Sequence, residues 1–363
     1  MAASSIFSIT AMLLPILAWG IINQSWSISL PFIGIVYKPW RLLILVCGSI
    51  GLFAGLIMML FPESPKFLLS KGKTDEAIDV LKKMHKWNVR SGDLQISEIT
   101  ADEEDIQVQN DTSLESSSLL RVFLQTVWNQ TIPLFQKTLL IPTILICTIQ
   151  FWMCVGIYGI FMWYPIITDS MVSSMSHNSQ NVSSICDAVY AKQAETLAID
   201  KNVQHCTEKL EDRTFIFSIM MEFFFGMGYV VIGILVQKVQ KKHILFATLI
   251  IFGTCGVLTN LINDKTFSLI TFNMFFISGI GIQLLCGITI ELYPTHLRAM
   301  AICISVMFGR LGGVAGASIT GLMMASNCEM TFYIAGTGLI VSGFLTLLIP
   351  KKENEKTVES VVE

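Results

Sequence analysis

Residues 61–73 read FPESPKFLLSKGK, and they end a long apolar block with two prolines, a carboxylate and a series of lysines. Pro62 and Pro65 stop a spanning helix where water becomes available to solvate the backbone. A simple stop-transfer boundary would account for the lysines, but it would not account for the combination of the prolines with Glu63. The stretch therefore predicts a membrane-spanning helix that ends near residue 61.

The composition of the chain also indicates a membrane protein. Of the 363 residues 53% are apolar and only 14% are charged, whereas soluble domains carry about 25% charged residues. The mean hydropathy is +0.63, and the net charge of −3 gives no indication of a nucleic-acid partner.

The apolar residues lie in long blocks that reach the roughly 20 residues needed to cross a bilayer as a helix. Eight such blocks are present, at residues 5–22, 41–61, 139–164, 214–236, 244–262, 267–290, 299–324 and 331–349. The first block lacks a basic leading segment and a convincing cleavage site, so we do not interpret it as a signal peptide. The sequence predicts an all-α, multi-pass membrane protein with about eight spanning helices.

The distribution of lysine and arginine predicts the orientation, because cytoplasmic connections retain positive charge. The connections at 62–138, 237–243, 291–298 and 350–363 hold 16 Lys and Arg residues, and the alternate connections hold 6. We therefore expect the loop after Phe61, the C-terminal tail and, with eight crossings, the N-terminus to be cytoplasmic.

The connection at 165–213 is then expected on the outer side of the membrane. It contains a glycosylation sequon at Asn181 and two cysteines, Cys186 and Cys206. Either the two cysteines form a disulfide bond or both are free thiols; we expect the bond. The sequon at Asn110 lies in the cytoplasmic loop, so we expect it to remain unmodified.

The cytoplasmic connection 62–138 has two different parts. Residues 73–88 repeat apolar residues at Ala77, Leu81 and Met84, which predicts a short amphipathic helix. Residues 91–118 are acidic and rich in serine, so we expect a solvated linker. A regulatory or trafficking role for the acidic run inside that linker is the alternative.

Two motifs resemble those of the major facilitator superfamily. FPESPKFLLSKGK is similar to the sequence that closes the sixth helix of its sugar-porter and organic-ion-transporter members. ELYPTHLRAMA, residues 291–301, resembles their E-x-x-P-T-x-x-R-x-x-A pattern between the tenth and eleventh helices. The aromatic segment FWMCVGIYGIFMWYP, together with the outer loop after it, looks most like the synaptic vesicle glycoprotein 2 branch.

The resemblance implies a fold of two six-helix halves that move solutes by alternating access around a central site. It also implies that this chain begins at the fifth helix of that fold. Residues 1–61 would then be a two-helix remnant of the first half, 139–349 a complete second half, and 350–363 a cytoplasmic tail. A shortened isoform, an incomplete gene model and a degenerate copy are all compatible with this pattern.

Two charges, Arg310 and Glu222, lie well inside apolar blocks, and charges at such depth usually serve a function. Organic-anion members of the superfamily carry a basic residue at the place matching Arg310, so the resemblance implies that Arg310 attracts an anionic solute. Glu222 would be a proton acceptor or a gating counter-charge. The alternative is a permanent structural ion pair between the two residues.

Further candidates for solute binding are Trp152 and Tyr158 in the aromatic segment, and Gln283 in the sixth block. Aromatic rings can line a cavity for an organic solute, but rings near the ends of spanning segments also form the interfacial belt. The candidate substrate-binding set is therefore Arg310, Glu222, Trp152, Tyr158 and Gln283.

Small residues recur at intervals of four in the block 299–324. Gly309, Gly313, Ala317 and Gly321, with Gly312 and Gly316 beside them, predict a face for close helix packing. A ligand-binding role for this face is the alternative.

At the inner surface, Glu63, Glu291 and Arg298 are candidates for a conformational latch. In this hypothesis Glu291 and Arg298 pair with a loop of the opposite half. A basic loop that only orients the protein in the membrane is the alternative.

The sequence contains no metal triad, no nucleophile elbow and no phosphate-binding glycine loop, so we expect neither an enzyme nor a cofactor. The expected function is transport of a small organic solute, with the solute and the lipid bilayer as the partners. The alternative is a vesicle or surface glycoprotein that acts as a binding or trafficking factor without transporting, or an inactive truncated form.

Overall fold

The computed structural model describes residues 2–24, 26–30, 34–70, 73–88, 128, 131–176, 184–199, 212–293, 295–324 and 326–350. Within these residues the chain is almost entirely helical, with one short hairpin. The hairpin pairs β1 (Ile28–Leu30) with β2 (Ile35–Tyr37) in antiparallel register, and Gly34 between them has a positive φ of 66°.

The described residues form fourteen α-helices and one 3₁₀-helix, Ile132–Phe135. The α-helices are α1 (Ala2–Ala11), α2 (Leu13–Ile22), α3 (Pro39–Met58), α4 (Pro65–Ser70), α5 (Thr74–Asn88), α6 (Lys137–Phe161), α7 (Tyr164–Ser176), α8 (Ile185–Ile199), α9 (Asp212–Leu235), α10 (Lys241–Leu258), α11 (Lys265–Ile277), α12 (Ile280–Leu292), α13 (Thr295–Met324) and α14 (Cys328–Thr346). The expected all-α, multi-pass membrane fold is confirmed.

In the described residues seven helical segments are long and apolar enough to cross a membrane. They correspond to the second through eighth predicted blocks, with α11 and α12 together forming one of them. The first predicted block, 5–22, instead forms two ten-residue helices that separate at Met12. Pro15 explains the separation, since it has no N–H to donate to the Ala11 carbonyl one turn earlier.

The chain divides into two compact units, Met1–Trp26 with Thr131–Glu363, and Ser27–Gln130. The predicted remnant 1–61 is thus shared between the units. In the first unit, α1 and α2 pack against α9. Trp19 stacks on Phe215 at 6.4 Å between ring centroids, and the Trp19 indole and the Asn23 amide both donate hydrogen bonds to Asp212 Oδ1.

Glycines bring α13 against α6 at backbone distance. A Cβ added at Gly312 would lie 2.4 Å from the Phe151 carbonyl oxygen, and one at Gly316 would lie 2.3 Å from the Val155 carbonyl oxygen. A Cβ at Gly313 would meet Tyr158 Cβ at 3.4 Å, an ordinary contact. The backbone-to-backbone approach therefore follows Gly312 and Gly316. The predicted four-residue series faces side chains instead, tightly at Gly309, where a Cβ would lie 2.9 Å from Gln150 Cγ, and with more room at Gly313.

The predicted outer connection 165–213 contributes two helices to the core of the first unit. Ile167 and Met171 of α7 and Val189 of α8 are buried. Asp169 of α7 is also buried; it accepts a hydrogen bond from Thr214 at 2.9 Å and forms an ion pair with Lys192 of α8. This connection is therefore a folded part of the unit over its described residues.

The predicted pairing of Cys186 with Cys206 is wrong, because the structure joins Cys186 to Cys328, the first residue of α14, with 5.6 Å between the Cα atoms. The Tyr190 hydroxyl accepts a hydrogen bond from the Cys328 backbone N–H and supports the same contact. Cys186 and Cys328 are both buried where α8 meets the start of α14. Cys206 and the sequon at Asn181 lie outside the described residues.

The second unit contains the hairpin, α3, α4 and α5. The predicted amphipathic helix at 73–88 is confirmed as α5, which packs against α4 and buries Ala77. Lys73 forms an ion pair with Glu76 at 2.7 Å. The acidic stretch 91–118 and the sequon at Asn110 lie outside the described residues.

Candidate functional site

Arg310 lies halfway along α13, and its side chain is exposed. Its guanidinium carbon is 5.9 Å from the centre of the Tyr158 ring on α6, which is within the range of a cation–π interaction. The absence of a side chain at the preceding residue, Gly309, lets α13 approach α6 closely at this level. The structure thus brings together two of the predicted substrate-binding residues.

Polar and thiol side chains continue from Tyr158 along the same face of α6. Gln150, Cys154 and Tyr158 follow at intervals of four residues and therefore lie on one side of the helix. A Cβ at Gly309 would meet Gln150 Cγ at 2.9 Å and Cys154 Sγ at 3.0 Å. All three α6 residues consequently face the part of α13 that carries Arg310.

Gln150 is the polar residue on this face that sequence reasoning missed. Its side chain is only 2% exposed, its Nε2 lies 3.9 Å from Cys154 Sγ, and its Oε1 has no hydrogen-bond partner in the described part of the chain. A buried amide oxygen without a partner is costly in a membrane. The feature of the sequence that could have identified Gln150 is that it is a single glutamine in the middle of an apolar block.

Helix α12 packs against α6 and carries Gln283 and Cys286. Gln283 precedes Cys286 by three residues, so the two lie on neighbouring positions of one helix face. Gln283 is exposed and Cys286 is partly buried. The predicted residue Gln283 thus occupies an exposed position on a helix that contacts α6.

Glu222 lies on a different surface, the side of α9 that packs against α1 and α2. On α9 it falls seven residues after Phe215, which stacks on Trp19, and four before Gly226, where an added Cβ would contact Ser8 Cβ at 3.4 Å. These spacings place Phe215, Glu222 and Gly226 on one helix face.

No ion pair joins Glu222 to Arg310 within 4.0 Å in the part of the chain that the structure describes. Glu222 is half-buried, and the buried Tyr229 follows it two turns further along α9. The described residues therefore do not show the alternative of a permanent structural ion pair between Glu222 and Arg310.

Trp152 does not join this group. Its ring lies against α14, where a Cβ added at Gly338 would be 3.3 Å from Trp152 Cε3. Trp152 and Tyr158 are six residues apart on α6, which places them on different sides of the helix. The structure therefore separates Trp152 from the other predicted substrate-binding residues of unit one.

The predicted latch residues Glu291 and Arg298 have partners within their own unit. Lys241 Nζ, at the start of α10, lies 2.6 Å from Glu291 Oε1. Arg298 Nε donates a 3.0 Å hydrogen bond to the Tyr293 carbonyl. Glu63 is exposed and belongs to the other unit, so the pairing with the opposite half stays a prediction.

Tyr293 anchors the C-terminal end of α12. Its side chain is buried, and its hydroxyl lies 2.7 Å from Thr143 Oγ1 on α6. Burial raises the pKa of the Tyr293 phenol, and the hydrogen bond with Thr143 opposes that rise. The phenol therefore remains protonated at neutral pH and holds α6 to the C-terminal end of α12.

Comparison with known proteins identifies two family matches along the chain. Residues 16–186 match the sugar (and other) transporter family, and residues 213–362 match the major facilitator superfamily. The two matches together cover most of the chain.

Individual relatives are similar over a shorter region. Synaptic vesicle glycoprotein 2A of Rattus norvegicus is 31% identical over 163 residues, which is 41% of this chain and 22% of the relative. The Homo sapiens protein of the same name matches equally. Synaptic vesicle glycoprotein 2B of Rattus norvegicus is 27% identical over 161 residues, 41% of this chain and 23% of the relative. The chain thus matches less than a quarter of the length of each of these relatives.

Proposed function

Since the chain belongs to the major facilitator superfamily, in its sugar-transporter type, we propose that it moves a small organic anion across a membrane. The solute binds a surface formed by Arg310, Tyr158 and Gln283, and alternating access opens this surface to each side of the membrane in turn. The membrane is the plasma membrane or that of an intracellular vesicle.

The observation that carries the proposal is the environment of Arg310. It lies mid-way along a helix that is long enough to span a bilayer, its side chain is exposed, and no carboxylate within the described residues lies within 4.0 Å of it. A guanidinium at that depth is costly against lipid. It is therefore expected to face an aqueous pathway or a ligand.

The chemistry of Arg310 selects the class of solute. A guanidinium binds a carboxylate through two parallel hydrogen bonds, and the Tyr158 ring beside it offers an apolar surface for the rest of the solute. These two groups favour an organic carboxylate with an apolar portion.

Glu222 has a separate role in this proposal. It lies on the face of α9 that contacts α1 and α2. Protonation of Glu222 removes a charge from a helix contact inside the membrane. Glu222 is therefore proposed as a proton acceptor or gating charge and not as a solute ligand.

Uptake into proteoliposomes that contain the full chain tests the proposal, with a panel of organic anions, organic cations and sugars. Arg310→Gln is expected to abolish uptake of the anions, and Arg310→Lys to retain part of it. Arg213→Gln is the matched control, because Arg213 is an exposed residue in the first turn of α9. Equal uptake by the Gln variant and the wild type would exclude Arg310 as the anion-binding group.

The second candidate function is a non-transporting membrane glycoprotein that binds a partner or directs trafficking. It is favoured by the outer helices α7 and α8, which the Cys186–Cys328 disulfide fixes to α14. A folded outer segment of this kind offers a stable binding surface. Normal cellular sorting together with no uptake of any solute in the panel would support this alternative.

A further inference from the structure

Helix α5 of the second unit has its charges separated along its length. Asp75 and Glu76 lie in the first turn, whereas the last two turns carry three exposed lysines, Lys82, Lys83 and Lys86. The order is favourable for the helix itself, since acidic groups stabilise its N-terminus and basic groups its C-terminus. It also leaves one end of α5 strongly positive.

An exposed tryptophan completes this positive end. Lys83 and Trp87 are four residues apart, as are Lys82 and Lys86, so the four side chains occupy adjacent positions on the helix surface. Trp87 is 54% exposed, and Lys83 Nζ lies 5.4 Å from the centre of its ring. We name Lys82, Lys83, Lys86 and Trp87 the basic end of α5.

The basic end of α5 lies beside the point where α3 leaves the membrane. Trp87 packs edge-on against Phe61 with 6.4 Å between the ring centroids. Phe61 follows α3, which ends at Met58 and is long and apolar enough to span a bilayer. Both residues belong to the same unit, so the ring of Trp87 is held beside the end of a helix that can span a bilayer.

We propose that the basic end of α5 binds the headgroup layer of a membrane leaflet that contains anionic phospholipids. Tryptophan prefers the membrane–water interface, and lysines close to an anionic surface are attracted to it electrostatically. Ala77 is buried and α4 packs against α5, so the lysines remain directed away from the interior of the unit. The occupant of this surface is therefore lipid.

The proposal is tested by hydrogen exchange of the full chain in nanodiscs of phosphatidylcholine alone or of phosphatidylcholine with phosphatidylserine. Amides of residues 74–88 are expected to exchange at least about 10-fold more slowly with phosphatidylserine, because each lysine adds roughly a 5-fold attraction to an anionic surface. High salt is expected to remove this difference, since it screens exposed charges.

Two triple variants make the test specific. Lys82→Gln, Lys83→Gln and Lys86→Gln together are expected to abolish the effect of phosphatidylserine, whereas the three Lys→Arg changes keep the charge and are expected to preserve it. The proposal would be overturned if hydrogen exchange of the wild type were equal in both nanodiscs. It would also be overturned if phosphatidylserine slowed exchange in the Gln variant as much as in the wild type. Protection that appears only in native membranes, independent of anionic lipid, would assign the surface to a protein partner instead.

Discussion

Replacing Gly316 by alanine tests the packing of α13 on α6. The new Cβ would lie 2.3 Å from the Val155 carbonyl oxygen and 2.8 Å from Val155 Cα. Because these are backbone atoms, no side-chain rotation relieves the contact. The two helices must separate by roughly 1 Å to restore an ordinary non-bonded distance.

The expected cost follows from this displacement. Overpacking of a close-packed interior destabilises by about 1–3 kcal/mol, and the higher helix propensity of alanine returns up to about 1 kcal/mol. Gly316→Ala is therefore expected to lower the free energy of unfolding by about 1–2 kcal/mol. The two helices that separate are those that carry Tyr158 and Arg310, so ligand binding should weaken as well.

Gly313→Ala is the matched control on the same helix. Its Cβ would meet Tyr158 Cβ at 3.4 Å, which requires no movement, so this variant should be at least as stable as the wild type. Thermal unfolding of both variants in the same detergent measures the difference. If Gly316→Ala proved as stable as Gly313→Ala, the backbone contact between α6 and α13 would not be as close as described.

Three further predictions concern the two membrane surfaces. Asn181→Gln is expected to abolish the endoglycosidase-sensitive mobility shift and Asn110→Gln to leave it unchanged; a shift traceable to Asn110 would reverse the predicted orientation. Cys328→Ser should remove the disulfide detected by mass spectrometry of non-reduced peptides, whereas Cys206→Ser should leave it, and the opposite result would restore the pairing predicted from sequence. Glu291→Gln removes the ion pair with the first lysine of α10 and should change the accessibility of inner-end cysteine labels at unchanged surface level; unchanged labelling would leave that pair without a role in the conformational equilibrium.

The spanning segments were predictable from the sequence, because a bilayer imposes a length and composition that soluble contacts do not. The FPESPKFLLSKGK and ELYPTHLRAMA motifs also placed the chain in its superfamily. The break at Met12 could also have been predicted from the sequence, since Pro15 in the first block removes a helical hydrogen bond.

Other features depend on which helices become neighbours, and sequence spacing does not contain that information. The partner of Cys186 is 142 residues away, at the start of α14. The tightest glycine contacts follow Gly312 and Gly316 because α6 offers bare backbone there and side chains beside Gly313.

The candidate site was only partly predictable, again because the sequence does not show which helices become neighbours. Arg310 stood out as a charge inside an apolar block, and Tyr158 was among the aromatic candidates. Depth alone could not show that Glu222 faces α1 and α2, that Trp152 faces α14, or that Gln150 lies beside Gly309. To make those assignments one must know how each helix is rotated about its own axis, and the sequence of an almost uniformly apolar segment does not show this.

In the proposed site Arg310 binds an anionic group of the solute and is not the partner of Glu222 in a structural pair. Equilibrium binding of the organic-anion panel to the purified full chain tests it most directly, with Arg310→Gln, Glu222→Gln and the swapped variant Glu222→Arg with Arg310→Glu. Folding is followed in parallel by thermal unfolding.

Arg310→Gln is expected to fold and to weaken anion binding by about 10- to 100-fold, as loss of a hydrogen bond to a charged group costs about 1.5–3 kcal/mol. The swapped variant should not regain binding, because the structure shows no ion pair between the two positions. Recovery of both folding and anion binding in the swapped variant would contradict this account and would assign the two charges to a structural pair.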